Sequence, residues 1–102
     1  HSSIAVNESQ GRTLDPFGDE EVVHLWVWTG LHVEVRTHSL RGLASTALEI
    51  PTCSGTFSDT DGGETVVDWV SHCDEVVVMR IFSANGYYGP GESYTLSVSQ
   101  LP

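Results

Sequence analysis

Apolar and polar residues alternate with period two along most of this chain, which is the spacing of strands with one buried face. Val23, Leu25 and Val27 share one parity, with His24, Trp26 and Trp28 on the other. Thr29-Gly30 interrupts the run, and Leu31, Val33 and Val35 then alternate with His32, Glu34 and Arg36. Leu40-Arg41-Gly42 reads as a loop. Ala47 to Ile50 reads as a short strand stopped by Pro51, with Cys53-Ser54-Gly55 as a turn. Thr56-Phe57-Ser58 precedes the turn signal Asp59-Thr60-Asp61-Gly62-Gly63, and Val66 to Val70 follows. Glu75 to Phe82 is apolar at both parities and predicts a central strand buried on both faces. Asn85 to Glu92 predicts a loop, and Tyr94, Leu96 and Val98 a closing strand. Seven to eight strands separated by turns predict an all-β, antiparallel β-sandwich.

Composition agrees with the pattern. Thirteen Val, three Ile and nine Thr stand against four Ala and no Lys, a balance that favours strands over helices. A length of 102 residues allows one small domain. Residues 1–15 read as an N-terminal segment, strand-forming or tag-derived at its start, and 16–102 as the sandwich. The net charge is −10, with four Arg as the only strong cations. Nucleic acid and anionic membrane surfaces both recruit Lys and Arg, so neither is an expected partner. No apolar run reaches the ~20 residues of a membrane helix, and no basic start with a following apolar stretch marks a signal peptide.

The order of segments resembles the bacterial pre-peptidase C-terminal domain family, which includes the collagen-binding domains of secreted collagenases. Gly18-Asp19-Glu20-Glu21 followed by Val22 to Gly30 is similar to the family's "GD-x-D" entry and first long strand. Ala47-Leu48-Glu49-Ile50, Gly55 and Asp59 to Gly63 resemble its "L-x-L … DDGG" segment, and Val76 to Ile81 followed by Ser93 to Val98 its "YTLSV" ending. Asn7-Glu8-Ser9 is similar to its "E-x-N-D/E-S" motif, with Ala5 in place of the first Glu. Val76-Val77 replaces the aromatic pair before the penultimate strand, and Glu21 the second Asp of "D-x-D". The resemblance implies a jelly-roll-like sandwich that is a non-catalytic accessory domain of an exported hydrolase, joined to a catalytic domain. It also implies a calcium site, whose ligand positions fall on Asn7, Glu8, Asp19 and Glu21.

Other chemistry is sparse. Ser, His and Asp are present, but no Gly-x-Ser-x-Gly elbow marks a nucleophile. Zinc is not expected, because the one close His/Cys pair, His72-Cys73, points to opposite faces of an extended chain. Calcium is the one cofactor considered, and no organic cofactor is implied. Asp59, Asp61 and Glu64 form a second acidic group, read as a solvated turn. Cys53 and Cys73 are read as a disulfide and place the chain in an oxidising, extracellular compartment; two buried thiols are the alternative. If Val23, Leu25 and Val27 face the core, Trp26 and Trp28 face outward, and Tyr87 and Tyr88 in the Gly-rich loop are candidates to extend that aromatic surface. The opposite assignment, with both indoles in the core, is the competing one. Two functions follow. One is a substrate-binding module that holds a secreted protease on collagen or a polysaccharide; the other is a structural or maturation domain with no ligand of its own.

Overall fold

The computed structural model describes residues 2–14 and 20–102. Nine strands follow in order: β1 (Ser2–Ile4), β2 (Ser9–Leu14), β3 (Glu21–Val27), β4 (His32–Arg41), β5 (Thr46–Thr52), β6 (Gly55–Asp59), β7 (Thr65–Val70), β8 (Glu75–Ser83) and β9 (Gly89–Gln100). They form two packed sheets, β1-β3-β8-β5-β6 and β2-β9-β4-β7. Every pairing is antiparallel except β1 with β3. The described residues contain no helix. The expected β-sandwich is therefore present, with nine strands rather than seven to eight.

The alternation that predicted the strands also builds the core. Val23, Leu25 and Val27 on β3, Val33 and Val35 on β4, Leu48 and Ile50 on β5, and Leu96 and Val98 on β9 are all fully buried. Each sheet thus turns one parity inward and the other to water. β8 obeys the same rule and corrects an expectation. It is central in its sheet, but only Val77, Met79 and Ile81 are buried, while Val76 and Val78 are exposed. Its run of valines obscured a one-faced strand, because β-branched residues suit either side of a pleat.

Other elements extend beyond their expected limits. β4 continues through Leu40 and Arg41, where the sequence predicts a loop, and β9 begins at Gly89 inside the expected 85–92 loop. Beyond β4 the chain turns at Gly42, whose φ is 65°; a Cβ there would lie 2.6 Å from the Gly91 carbonyl oxygen. Only glycine passes that point without displacing β9.

The segment before residue 15 supplies an edge strand to each sheet. Between β1 and β2 the chain turns at Ala5 to Glu8, where the Ala5 N–H donates to Glu8 Oε1 at 2.8 Å and Asn7 adopts φ 68°. Cys53 and Cys73 are joined by a disulfide with a Cα–Cα distance of 6.5 Å. It ties the β5–β6 turn to the segment entering β8, a crosslink the strand hydrogen bonds do not provide.

Candidate binding face

The outer face of the five-stranded sheet is the candidate site. Its register follows from the core: Val23, Leu25 and Val27 are 0% exposed, so the intervening His24 and Trp26 point outward. Trp26 is 53% and Trp28 39% exposed. Trp26 stands directly opposite Val76, and His24 opposite Val78. Those two cross-strand rows carry no carboxylate, in a chain of net charge −10. They form an apolar strip, exposed to water, on the rigid middle of a sheet.

The charges on this face gather at the far end of the strands. Arg80 on β8 donates to both carboxylate oxygens of Glu20 and lies 3.2 Å from Glu49 on β5. The hydrogen bond from Arg80 holds the Glu20 carboxyl below its ordinary range. Arg80 thus holds two carboxylates at that end of the sheet, away from the rows of Trp26 and His24.

Trp28 leaves β3 into a clamped turn. The Leu31 N–H donates to the Trp28 carbonyl at 3.1 Å, Thr29 N–H to Asp74 Oδ1 at 2.8 Å, and Gly30 N–H to the Ser71 carbonyl at 2.8 Å. The disulfide at Cys73 holds the same segment from the other side. A binding group on such a turn loses little conformational freedom when a ligand docks.

Tyr87 and Tyr88 do not continue this strip. They follow Ser83, at the end of β8 remote from Val76, and seven residues of strand separate the two ends by roughly 23 Å. Tyr87 is exposed, whereas Tyr88 is half-buried, packs on the core and accepts a hydrogen bond from the Ser83 N–H at 3.3 Å. The third indole, Trp69 on β7, points inward and stacks on Phe57 with ring centroids 5.9 Å apart.

The acidic candidates have protein partners. Asn7 Oδ1 accepts from the Gln100 N–H at 3.0 Å, and Glu8 Oε1 caps the first turn. Glu21 pairs with Arg12 at 3.6 Å. Asp19 lies outside the described residues. In the second acidic group, Asp59 accepts from the Asp61 and Val66 N–H groups and Glu64 from the Ser39 N–H, as turn and strand caps do. No sequence spacing marks the hydrogen-bonded Ser97–His38 pair, 2.7 Å apart and brought together by the pairing of β4 with β9. Its second imidazole nitrogen meets the Ser39 hydroxyl at 3.0 Å, where a catalytic triad places a carboxylate.

No family model matches the chain, and no curated protein matches it by sequence. Its structure is similar to the crystal structure of the pre-peptidase C-terminal domain of collagenase from Bacillus anthracis. The TM-score is 0.62 at 12% identity, covering 96% of this chain and 94% of that one. At that identity the likeness is one of architecture, and it agrees with the motif order read from the sequence. The chain has the fold of a pre-peptidase C-terminal domain.

Proposed function

We propose that this chain is a non-catalytic accessory domain of a secreted hydrolase, a protease by the company its fold keeps, and that it holds the attached catalytic domain on an extracellular polymer. The observation that carries the reading is the outward placement of Trp26 and Trp28 on a face whose inward residues are fully buried. Exposed indoles beside Val76 and Val78 expose apolar area that water penalises, and clusters of this kind mark binding surfaces. Trp28 follows the end of β3 two residues after Trp26, and an extended chain sets indoles at that separation roughly 7 Å apart. That spacing suits the faces of successive sugar rings or a proline-rich helix. The similar domain belongs to a collagenase, which makes collagen-like protein the first polymer to try. The disulfide supports an extracellular setting.

The test is co-sedimentation with insoluble collagen, chitin and cellulose. Wild-type protein is expected to pellet with one of them, and Trp26→Ala and Trp28→Ala to remain in solution while still folded. A protein that pellets with none of the three, yet is required for its attached protease to fold or leave the cell, is a maturation domain instead.

A further inference from the structure

The opposite face of the sandwich carries a second, chemically different feature. Across β2, β9 and β4 two rows of outward side chains run side by side: Gly11, Thr95 and His38, then Thr13, Ser93 and Arg41. Apart from His38 these residues, with Ser39, Tyr94 and the Glu21-paired Arg12, line a cleft of about 530 Å³, within the range of small-molecule sites. The cleft exists because Gly11 has no side chain and because β4 carries an extra residue there.

That extra residue is Ser39. It adopts φ 56°, a region few non-glycine residues enter, and the β4–β9 register shifts between His38 and Arg41. Its backbone N–H is held by Glu64 Oε2 at 3.1 Å. Unbroken alternation from His38 would turn Arg41 inward. The bulge instead puts Leu40 against the core and turns Arg41 out over Ser93. Bulges that re-aim one side chain recur beside binding sites, and an observed strained residue is a pointer to function.

Arg41 is also distinguished by its charge environment. Arg12 pairs with Glu21, Arg36 with Glu34, and Arg80 with Glu20 and Glu49. Among the described residues Arg41 has no carboxylate within ion-pair distance. Glu92, next to Ser93 on β9, accepts from the Leu43 N–H. In a chain of net charge −10, Arg41 is the one guanidinium without a carboxylate partner among the described residues, and it faces a wall of hydroxyls.

We propose that this cleft binds a carboxylate-bearing sugar, with the carboxylate on Arg41 and the sugar hydroxyls on Thr13, Ser93, Thr95 and Ser39. A guanidinium recognises a carboxylate through two parallel N–H donors, and hydroxyl side chains both donate to and accept from a sugar. Dense polyanions are repelled by the overall charge, so a sugar with no more than one carboxylate per ring, set among neutral hydroxyls, is the matching chemistry. Tyr94 borders the cleft but is 2% exposed, which leaves no ring face for an apolar ligand. The proposal is independent of the Trp26 face, which lies on the other sheet.

The test is titration of isotope-labelled protein with digalacturonate, and with its methyl ester as the uncharged control. Digalacturonate is expected to shift the amide resonances of Gly11, Ser39 and Thr95 with a millimolar Kd. The ester should bind about tenfold more weakly or worse, the size of one charge-assisted hydrogen bond. Arg41→Gln should weaken binding by a similar factor. Gly11→Leu should block the cleft without unfolding the domain, because a Cβ at Gly11 meets nothing within 4 Å. Trp26→Ala should leave digalacturonate binding intact. Equal binding of acid and ester, binding that survives both cleft variants, loss of binding in Trp26→Ala, or no shift at about 10 mM ligand would each overturn the assignment. So would a peptide C-terminal carboxylate that binds there when digalacturonate does not.

Discussion

The hydroxyl of Thr37 on β4 lies 2.6 Å from that of Thr46 on β5, one strand from each sheet, and both residues are fully buried. The direction of every proton in this contact can be assigned. Thr46 donates to the Gly63 carbonyl at 2.8 Å, so it must accept from Thr37. Thr37 therefore accepts from the Thr65 hydroxyl at 2.8 Å as well as from the Thr65 N–H at 3.0 Å. A polar chain running Thr65 to Thr37 to Thr46 to Gly63 thus crosses an otherwise apolar interior with each hydroxyl satisfied.

Thr37→Val keeps the shape and removes the relay. It leaves the Thr65 N–H without its acceptor and Thr46 without its donor, at a cost of roughly 1–3 kcal/mol. Thr37→Ser, which keeps the hydroxyl, should recover most of that loss. Urea unfolding of the two variants beside wild type measures the difference.

The three indoles should separate cleanly by role. Trp69→Ala empties a core position stacked on Phe57 and should cost roughly 3–5 kcal/mol. Trp26→Ala and Trp28→Ala remove exposed side chains and should change stability by no more than about 0.5 kcal/mol. Thermal unfolding of all three variants checks this, and polymer binding should fail only where stability does not.

Reduction of the Cys53–Cys73 bond should lower stability by roughly 3 kcal/mol, from the entropy returned to a 20-residue loop in the unfolded chain. The measurement is a denaturant midpoint with and without reductant, with Cys53→Ser plus Cys73→Ser as the permanent equivalent. The intact protein should also weigh two hydrogens less than the reduced form.

Tyr94 sets an alkaline limit. Burial, and then the nearby charge of Glu21, push its phenol well above the ordinary value, with Arg12 opposing. A group raised on folding contributes stability that is complete below its unfolded pKa, about 10, and is lost as pH rises through its folded value. Stability should therefore decline above about pH 10, and Tyr94→Phe should remove that component. The phenol oxygen has no hydrogen-bond partner among the described residues, so Tyr94→Phe should be neutral or stabilising near pH 7. Melting temperatures at pH 7 and pH 10.5 distinguish the two effects.

The alternation in 23–27 and 31–35 was enough to place strands and to group the residues that share a face, because the pleat has a period of two; it left two opposite assignments for the indoles, and packing put Val23, Leu25 and Val27 inside and Trp26 outside. Motif order pointed to the same fold that the solved neighbour displays. The disulfide followed from composition and compartment. What the linear pattern did not contain was anything set by contacts between distant strands. Val76 and Val78 look like core by residue type, and only the stacking of one sheet on the other decides that they face water. Tyr87 and Tyr88 resemble the tryptophans in chemistry, yet the length of β8 holds them apart from Trp26. The Ser39 bulge reverses the side on which Arg41 emerges, and its cause is a register mismatch with β9, more than fifty residues further along the chain. Periodicity reports which residues share a face of one strand; which face meets water, and which faces meet each other, is decided by packing between strands that the sequence lists far apart.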